Sequence, residues 1–189
     1  MPRESGRTAG GLFYVTKFLR GALACAAFAC LSIAAPAAAE DLSTSGEASP
    51  VASFTSLSDA VAAQSGTLDD EHLRCLASAV YFESQGEPLA GQLAVAQVIL
   101  NRVKSGRYAG TVCGVITQRG QFGFVRGGTI PAINETRSAF RTAIAVAKVA
   151  MSKAWVAQQA ASAMFFNGVR AARVGSRRIA TIGNHAFYR

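Results

Sequence analysis

Apolar side chains recur at helical spacing through the middle of the chain. Leu73, Leu76 and Val80 form a stripe at intervals of three and four, which predicts a helix from Leu68 to Ser84 that stops at Gly86. Thr67-Leu68-Asp69-Asp70 places a capping residue three positions before an acid, a capping-box-like start with Asp in place of Glu. Pro88 opens a second helix, Leu89 to Lys104, closed by Ser105-Gly106. Leu93, Ala94, Val95, Ala96, Val98, Ile99, Leu100 and Val103 make it apolar on nearly every face, the pattern of a buried helix. A short helix is predicted at Val112–Gln118, a third long one at Asn134–Ser152, and a short one near Trp155–Ala160. Gln121 to Val125 (QFGFV) alternates weakly and predicts a strand. After residue 162 the pattern changes. Ala163–Asn167, Arg178–Ile182 and Ala186–Tyr188 are short aromatic or β-branched runs separated by Gly and Asn, which predicts a small antiparallel sheet. The expected class is α+β, mostly helical, in one domain spanning residues 67–189.

The residues ahead of that domain follow other rules. Arg3, Arg7, Lys17 and Arg20 precede an uncharged apolar run, Gly21–Ala35, and Ala37-Ala38-Ala39 follows it. That is the three-part pattern of a secretory signal peptide over residues 1–39. The run is shorter than the roughly 20 residues that span a bilayer. Export to the periplasm or cell wall is expected, with no stable membrane span after cleavage. Residues 40–66 are rich in Ser, Ala, Thr and Gly and read as a flexible tether, with a short helix around Leu57–Ala63.

Charge sharpens this picture. The whole chain of 189 residues carries a formal net charge of +8. Glu40–Ile99 holds nine acids and one base, whereas Leu100–Arg189 holds fourteen bases and one acid. A basic half fits an anionic polymer, and export makes nucleic acid the least suitable one. A membrane surface, an acidic wall polymer, or a basic surface with no partner remain open. Past residue 39 two cysteines are left, Cys75 and Cys113. They are either free or bridged. An oxidising compartment favours the bridge, which would constrain the unfolded chain by roughly 3–4 kcal/mol.

Scarcity limits the chemistry. Beyond Glu71 the carboxylates are Glu83, Glu87 and Glu135, and the chain has two histidines, His72 and His185. No nucleophile elbow or phosphate loop is present, and the ligands for a metal site are too few, so neither metal nor cofactor is expected. Glu83 continues the apolar stripe of the first helix and falls in its last turn. Burial and the helix dipole both favour its protonated form, as a general acid near neutral pH requires. Capping the next helix or pairing with an arginine would suit the same position. Glu87 precedes Pro88 and reads as a cap of the second helix, and Glu135 reads as a first-turn acid of the third. Gln121, Phe122 and Phe124 suit either a sugar groove or an ordinary core strand. His185 suits either a cleft or a hydrogen-bonded structural place.

The stretch AVYFESQGEPLAGQLAVAQVILNRVKSGRYAGTVCGVI, Ala79–Ile116, resembles the SleB-type cell wall hydrolases, a group that includes spore cortex-lytic enzymes. QFGFV and the tail RIATIGNHAFYR, Arg178–Arg189, resemble the same family, so the likeness covers about Leu73–Arg189. It implies a lysozyme-like fold and cleavage of peptidoglycan glycan strands. The family's catalytic glutamate lies in a Tyr-x-Glu motif, matched by Tyr81-Phe82-Glu83. Tyr81, Gln121, Phe122, Phe124 and His185 form the candidate substrate-binding set. Gly123 departs from the family, where Ser or Thr is expected. Glycosidases use two carboxyl groups, and a second is hard to find here. The expectation is therefore a lytic transglycosylase with Glu83 alone, peripheral to the wall. Its rivals are a water-using muramidase with Glu87 as helper base, and a non-catalytic peptidoglycan-binding module. An amidase is disfavoured for want of zinc ligands.

Overall fold

The computed structural model describes residues 53–64, 68, 70–171 and 176–189. The expected signal peptide, most of the tether and the capping Thr67 lie outside the described residues. The elements are α1 (Leu57–Ala62), α2 (Glu71–Ser84), α3 (Leu89–Lys104), α4 (Val112–Thr117), α5 (Ser138–Ser152), a 3₁₀ turn (Gln158–Ala160), and the strands β1 (Phe165–Gly168), β2 (Arg178–Ile182) and β3 (His185–Tyr188). The domain is α+β and mostly helical, as the hydrophobic pattern predicts.

Local chemistry sets most of the boundaries. Asp70 caps α2 by accepting from the Leu73 N–H at 2.6 Å, so the helix begins after Asp70 and not at Leu68. Ser56 does the same for α1. α1 is packed, with Ala60 fully buried, so residues 57–62 belong to the folded unit and not to a free tether. In α3, Leu93 through Ala96, Val98 and Ile99 are all fully buried, which is why the helix is apolar on nearly every side. α2 packs on α3, α4 and α5, with Leu76, Val80, Val95, Val146 and Val149 among the fully buried core residues. Cys75 and Cys113 form a disulfide between α2 and α4, with Cα atoms 5.3 Å apart.

Two further expectations are corrected. α5 begins at Ser138, because the Asn134 side chain accepts from both the N–H and the hydroxyl of Thr136 and holds residues 134–136 in a turn. Glu135 therefore lies outside the helix and forms an exposed ion pair with Arg74. Gln121–Val125 forms no strand. Val125 N–H bonds back to the Phe122 carbonyl, and the one bridge nearby, Arg126 with Thr129, lies beyond it. Phe122 and Phe124 are held through their rings, with no neighbouring strand among the described residues to build a ladder.

The sheet is antiparallel with order β1-β3-β2. Phe165 faces Tyr188 and Phe166 faces Phe187 in register, which puts β3 at the centre with Ala186, Phe187 and Tyr188 buried. β2 and β3 are joined through Gly183-Asn184, and Gly183 takes φ +57°, as the first residue of a tight hairpin loop does. Among the described residues no helix is long and apolar enough to cross a membrane.

Candidate active site

Glu83 sits in the last turn of α2, where the chain must turn sharply. Ser84 returns its hydroxyl to the Val80 carbonyl, and Gly86 takes φ +84° to carry the chain into α3. Glu83 is half-buried. Burial pushes its carboxyl pKa up, and the positive charge of Arg102 pulls it partly back; the net direction is upward. The proton is thus retained further toward neutrality than on an ordinary carboxylate.

Arg102, in the last turn of α3, is a buried charge near the candidate acid that the sequence pattern did not single out. It is only 5% exposed, so its charge must be answered inside the protein. Its Nε donates to the Met164 carbonyl at 2.9 Å and its Nη1 to Gln121 Oε1 at 3.2 Å. Its guanidinium lies 5.2 Å from the Tyr108 ring centroid and 5.7 Å from those of Phe122 and Phe165. One side chain therefore ties the 121–122 segment and the entry to β1 to α3, and sets a positive charge within electrostatic range of Glu83. The signal was readable. Arg102 falls three after Ile99 and four after Val98, on the buried face of an apolar helix.

The aromatic candidates divide. Phe82 and Phe124 stack with centroids 4.7 Å apart, and Phe122 leans on Phe124 at 5.6 Å. Phe82 and Phe124 keep partial exposure, whereas Phe122 is buried beneath Arg102 and offers no open face to a sugar. Gln121 is half-buried, and its carbonyl oxygen is engaged by Arg102. Tyr81 is a core residue. It is 7% exposed and packs edge-on against Phe82 and against Phe140 of α5, with only a small part facing a shallow pocket.

His185 is placed with a different glutamate. Its ring meets Phe166 and Phe187 edge-on, and its Nδ1 is buried with no hydrogen-bond partner among the described residues. Burial pushes its pKa down, and the charge of Glu87 works the other way. Glu87 does not cap α3; Pro88 occupies the N-cap position without a side-chain bond. Glu87 clamps the β2–β3 hairpin instead. Its Oε2 accepts from the Asn184 N–H at 2.8 Å and its Oε1 from Asn184 Nδ2 at 2.9 Å. Slight burial raises its pKa, but the two Asn184 bonds and His185 outweigh it, and the net direction is downward. The two glutamates four residues apart are thus pushed in opposite directions.

Comparison with known proteins identifies a family. The family model described as Cell Wall Hydrolase matches residues 86–188, beginning just past Glu83. A spore cortex-lytic enzyme of Bacillus cereus is 52% identical over 58 residues, 31% of this chain and 22% of the relative. That of Bacillus subtilis (strain 168) is 47% identical over 73 residues, 38% of this chain and 24% of the relative. The matched stretch spans less than a quarter of the length of these two curated relatives. Among solved structures, the catalytic domain of the Bacillus cereus SleB protein superposes with a TM-score of 0.50 at 32% identity, covering 62% of this chain and 89% of that one. The catalytic domain of the germination-specific lytic transglycosylase SleB from Bacillus anthracis gives 0.52 at 31% identity, covering 66% of this chain and all of that one.

Proposed function

The chain belongs to the cell wall hydrolase family, and from that premise we propose that it cleaves peptidoglycan glycan strands as a lytic transglycosylase with Glu83 as its acid and base. The observation that carries the reading is the environment of Glu83, half-buried at a helix end with its pKa raised. A general acid has to hold its proton near the working pH. Glu83 would protonate the glycosidic oxygen between N-acetylmuramic acid and N-acetylglucosamine as that bond breaks. The carboxylate so formed would take the proton from the muramoyl 6-hydroxyl as its oxygen closes on the anomeric carbon, giving a 1,6-anhydro ring. The substrate's own acetamido group can stabilise the cationic centre between the two steps. No water is consumed, and the intramolecular attack benefits from proximity.

Glu87 is poorly suited to activate water. Both of its oxygens are held by Asn184, and its pKa lies below the ordinary range, which makes it a weaker base. Likeness to the Bacillus anthracis protein, itself described as a lytic transglycosylase, supports the same reading. Exposed Arg119, Arg126, Arg137 and Arg141 support attraction to an anionic wall outside the cytoplasm.

Digestion of purified sacculi followed by mass analysis tests the proposal. The expected muropeptides end in 1,6-anhydro-muramic acid, about 18 Da lighter than water-cleaved ones. Glu83→Gln should lower turnover by at least a hundredfold with the melting temperature retained. Reducing muramic ends as the main product, or a Glu83→Gln protein with more than about a tenth of the activity, would refute the mechanism.

A further inference from the structure

A pocket of about 220 Å³ opens beside Phe82, walled by Tyr81, Phe82, Ala132, Ile133, Asn134 and Arg137. Its size is telling. Sites that enclose a drug-sized ligand run from about 300 to 1,000 Å³, so this one suits a side arm and not a pair of sugars. Its Asn134 and Arg137 side chains offer donors. The Asn134 carbonyl oxygen is already occupied by the N–H and hydroxyl of Thr136, which leaves the Asn134 amide N–H groups for a ligand. Glu135, the nearest acid in sequence, is turned to Arg74. Arg137 is exposed and forms no ion pair with a described residue. Among the described residues no carboxylate lines the pocket. A concavity with an apolar wall, one guanidinium, spare amide donors and no acid is complementary to a carboxylate on a short apolar arm.

Its place says which arm. Phe82, part of the wall, immediately precedes Glu83 on the last turn of α2, and its ring stacks on Phe124. Of the two sugars flanking the bond assigned to Glu83, only the muramoyl residue carries a lactyl ether, whose carboxyl is free or extended by a peptide. We propose that this pocket receives the carboxylate-bearing arm of the muramoyl residue, with Arg137 as its charge partner. The inference rests on the glycan-cleaving reading given above and adds a determinant for muramoyl over neutral glycans.

Binding to the Glu83→Gln chain, which removes turnover, tests it by calorimetry with three probes. These are a disaccharide-peptide, the same disaccharide with a free lactyl acid, and a neutral N-acetylglucosamine oligomer. Arg137→Ala should weaken carboxylate-bearing probes about three- to fivefold more than the neutral one, the scale of an exposed charge pair. Arg137→Lys should recover part of that difference, and high salt should shrink it. Loss confined to the disaccharide-peptide assigns the peptide's carboxylate; loss on both acids assigns the lactyl group; either supports the pocket. An equal change for the neutral oligomer, or no change for any probe, overturns it. Failure of the wild-type chain to cleave sacculi would instead refute the function above and leave these binding ratios standing.

Discussion

Gly183→Ala is the most exacting test of how the hairpin is fastened to the helical body. A Cβ at this position would lie 2.0 Å from Glu87 Oε2 and 2.9 Å from Pro88 Cδ, and the residue's φ is +57°. The left-handed conformation alone costs an alanine about 1 kcal/mol. Pro88 is rigid, so the carboxylate must swing away and release both Asn184 bonds. Those bonds are charge-assisted but solvent-exposed, so their joint worth is about 1–2 kcal/mol. The expected loss is therefore about 2–3 kcal/mol, or on the order of 10 °C in melting temperature for a domain of this size. Urea and thermal unfolding would measure it. In a Glu87→Ala background the carboxylate is already gone, so Gly183→Ala should cost about 1–2 kcal/mol less there. The clamp also has a pH signature. Glu87 has a depressed pKa in the fold, so its contribution is present above the unfolded value and is lost as pH falls through the lower folded value. Gly183→Ala with a wild-type melting temperature, or strictly additive losses in the cycle, would show that the clamp does not form.

Glu83 carries the opposite sign. Its raised pKa means that the fold favours the protonated acid, so stability is lost as pH rises from the unfolded value through the folded one. Glu83→Gln should gain on wild type over that interval in paired melting curves, and a constant difference from acid to neutral pH would contradict the burial argument. Removing the Arg102 charge with Arg102→Gln should raise the Glu83 pKa further and carry the alkaline limb of the pH–activity profile upward. The same change should lower stability by about 3 kcal/mol through the lost buried contacts; an unmoved limb would mean that the two charges do not communicate. Reducing the Cys75–Cys113 bridge, with its sequence separation of 38 residues, should cost about 4 kcal/mol in the chain-entropy model, read as the difference in urea midpoint with and without reductant.

Much of this domain was legible as pattern. The all-apolar run of α3 announced a central helix, and the change to short aromatic runs after residue 162 announced the sheet, because burial periodicity is a local property of the chain. Helix starts were less legible. Asp70 and Asn134 are both good capping or turn residues, and which neighbouring N–H each one takes is a choice that composition does not make. QFGFV failed as a strand for a similar reason. Weak alternation marks Phe122 and Phe124 as one side of the segment, but a strand also needs a partner backbone, and none lies beside it among the described residues.

At the site, periodicity alone put Glu83 on the buried stripe at a helix end and so indicated its raised pKa, since both features belong to one helix. What surrounds it was decided at long range. Arg102 lies 19 residues away, yet its charge reaches Glu83 while its side chain is pinned by Gln121 and Met164. Glu87 read as a helix cap because the sequence shows only the free N–H groups next to it. The fold brings Asn184 against it, 97 positions away, and two donors on a tight turn outcompete a helix start. His185 was legible as a residue between a turn and aromatic neighbours; only the same docking shows that it sits by Glu87. Local spacing prescribes the helices, the sheet and the place of Glu83 on a buried stripe, and the Tyr-x-Glu resemblance makes that residue the candidate acid. Only the folded chain sets the surroundings that push the Glu87 pKa down and temper the rise at Glu83, because Asn184, His185 and Arg102 are delivered by segments the local pattern cannot bring together.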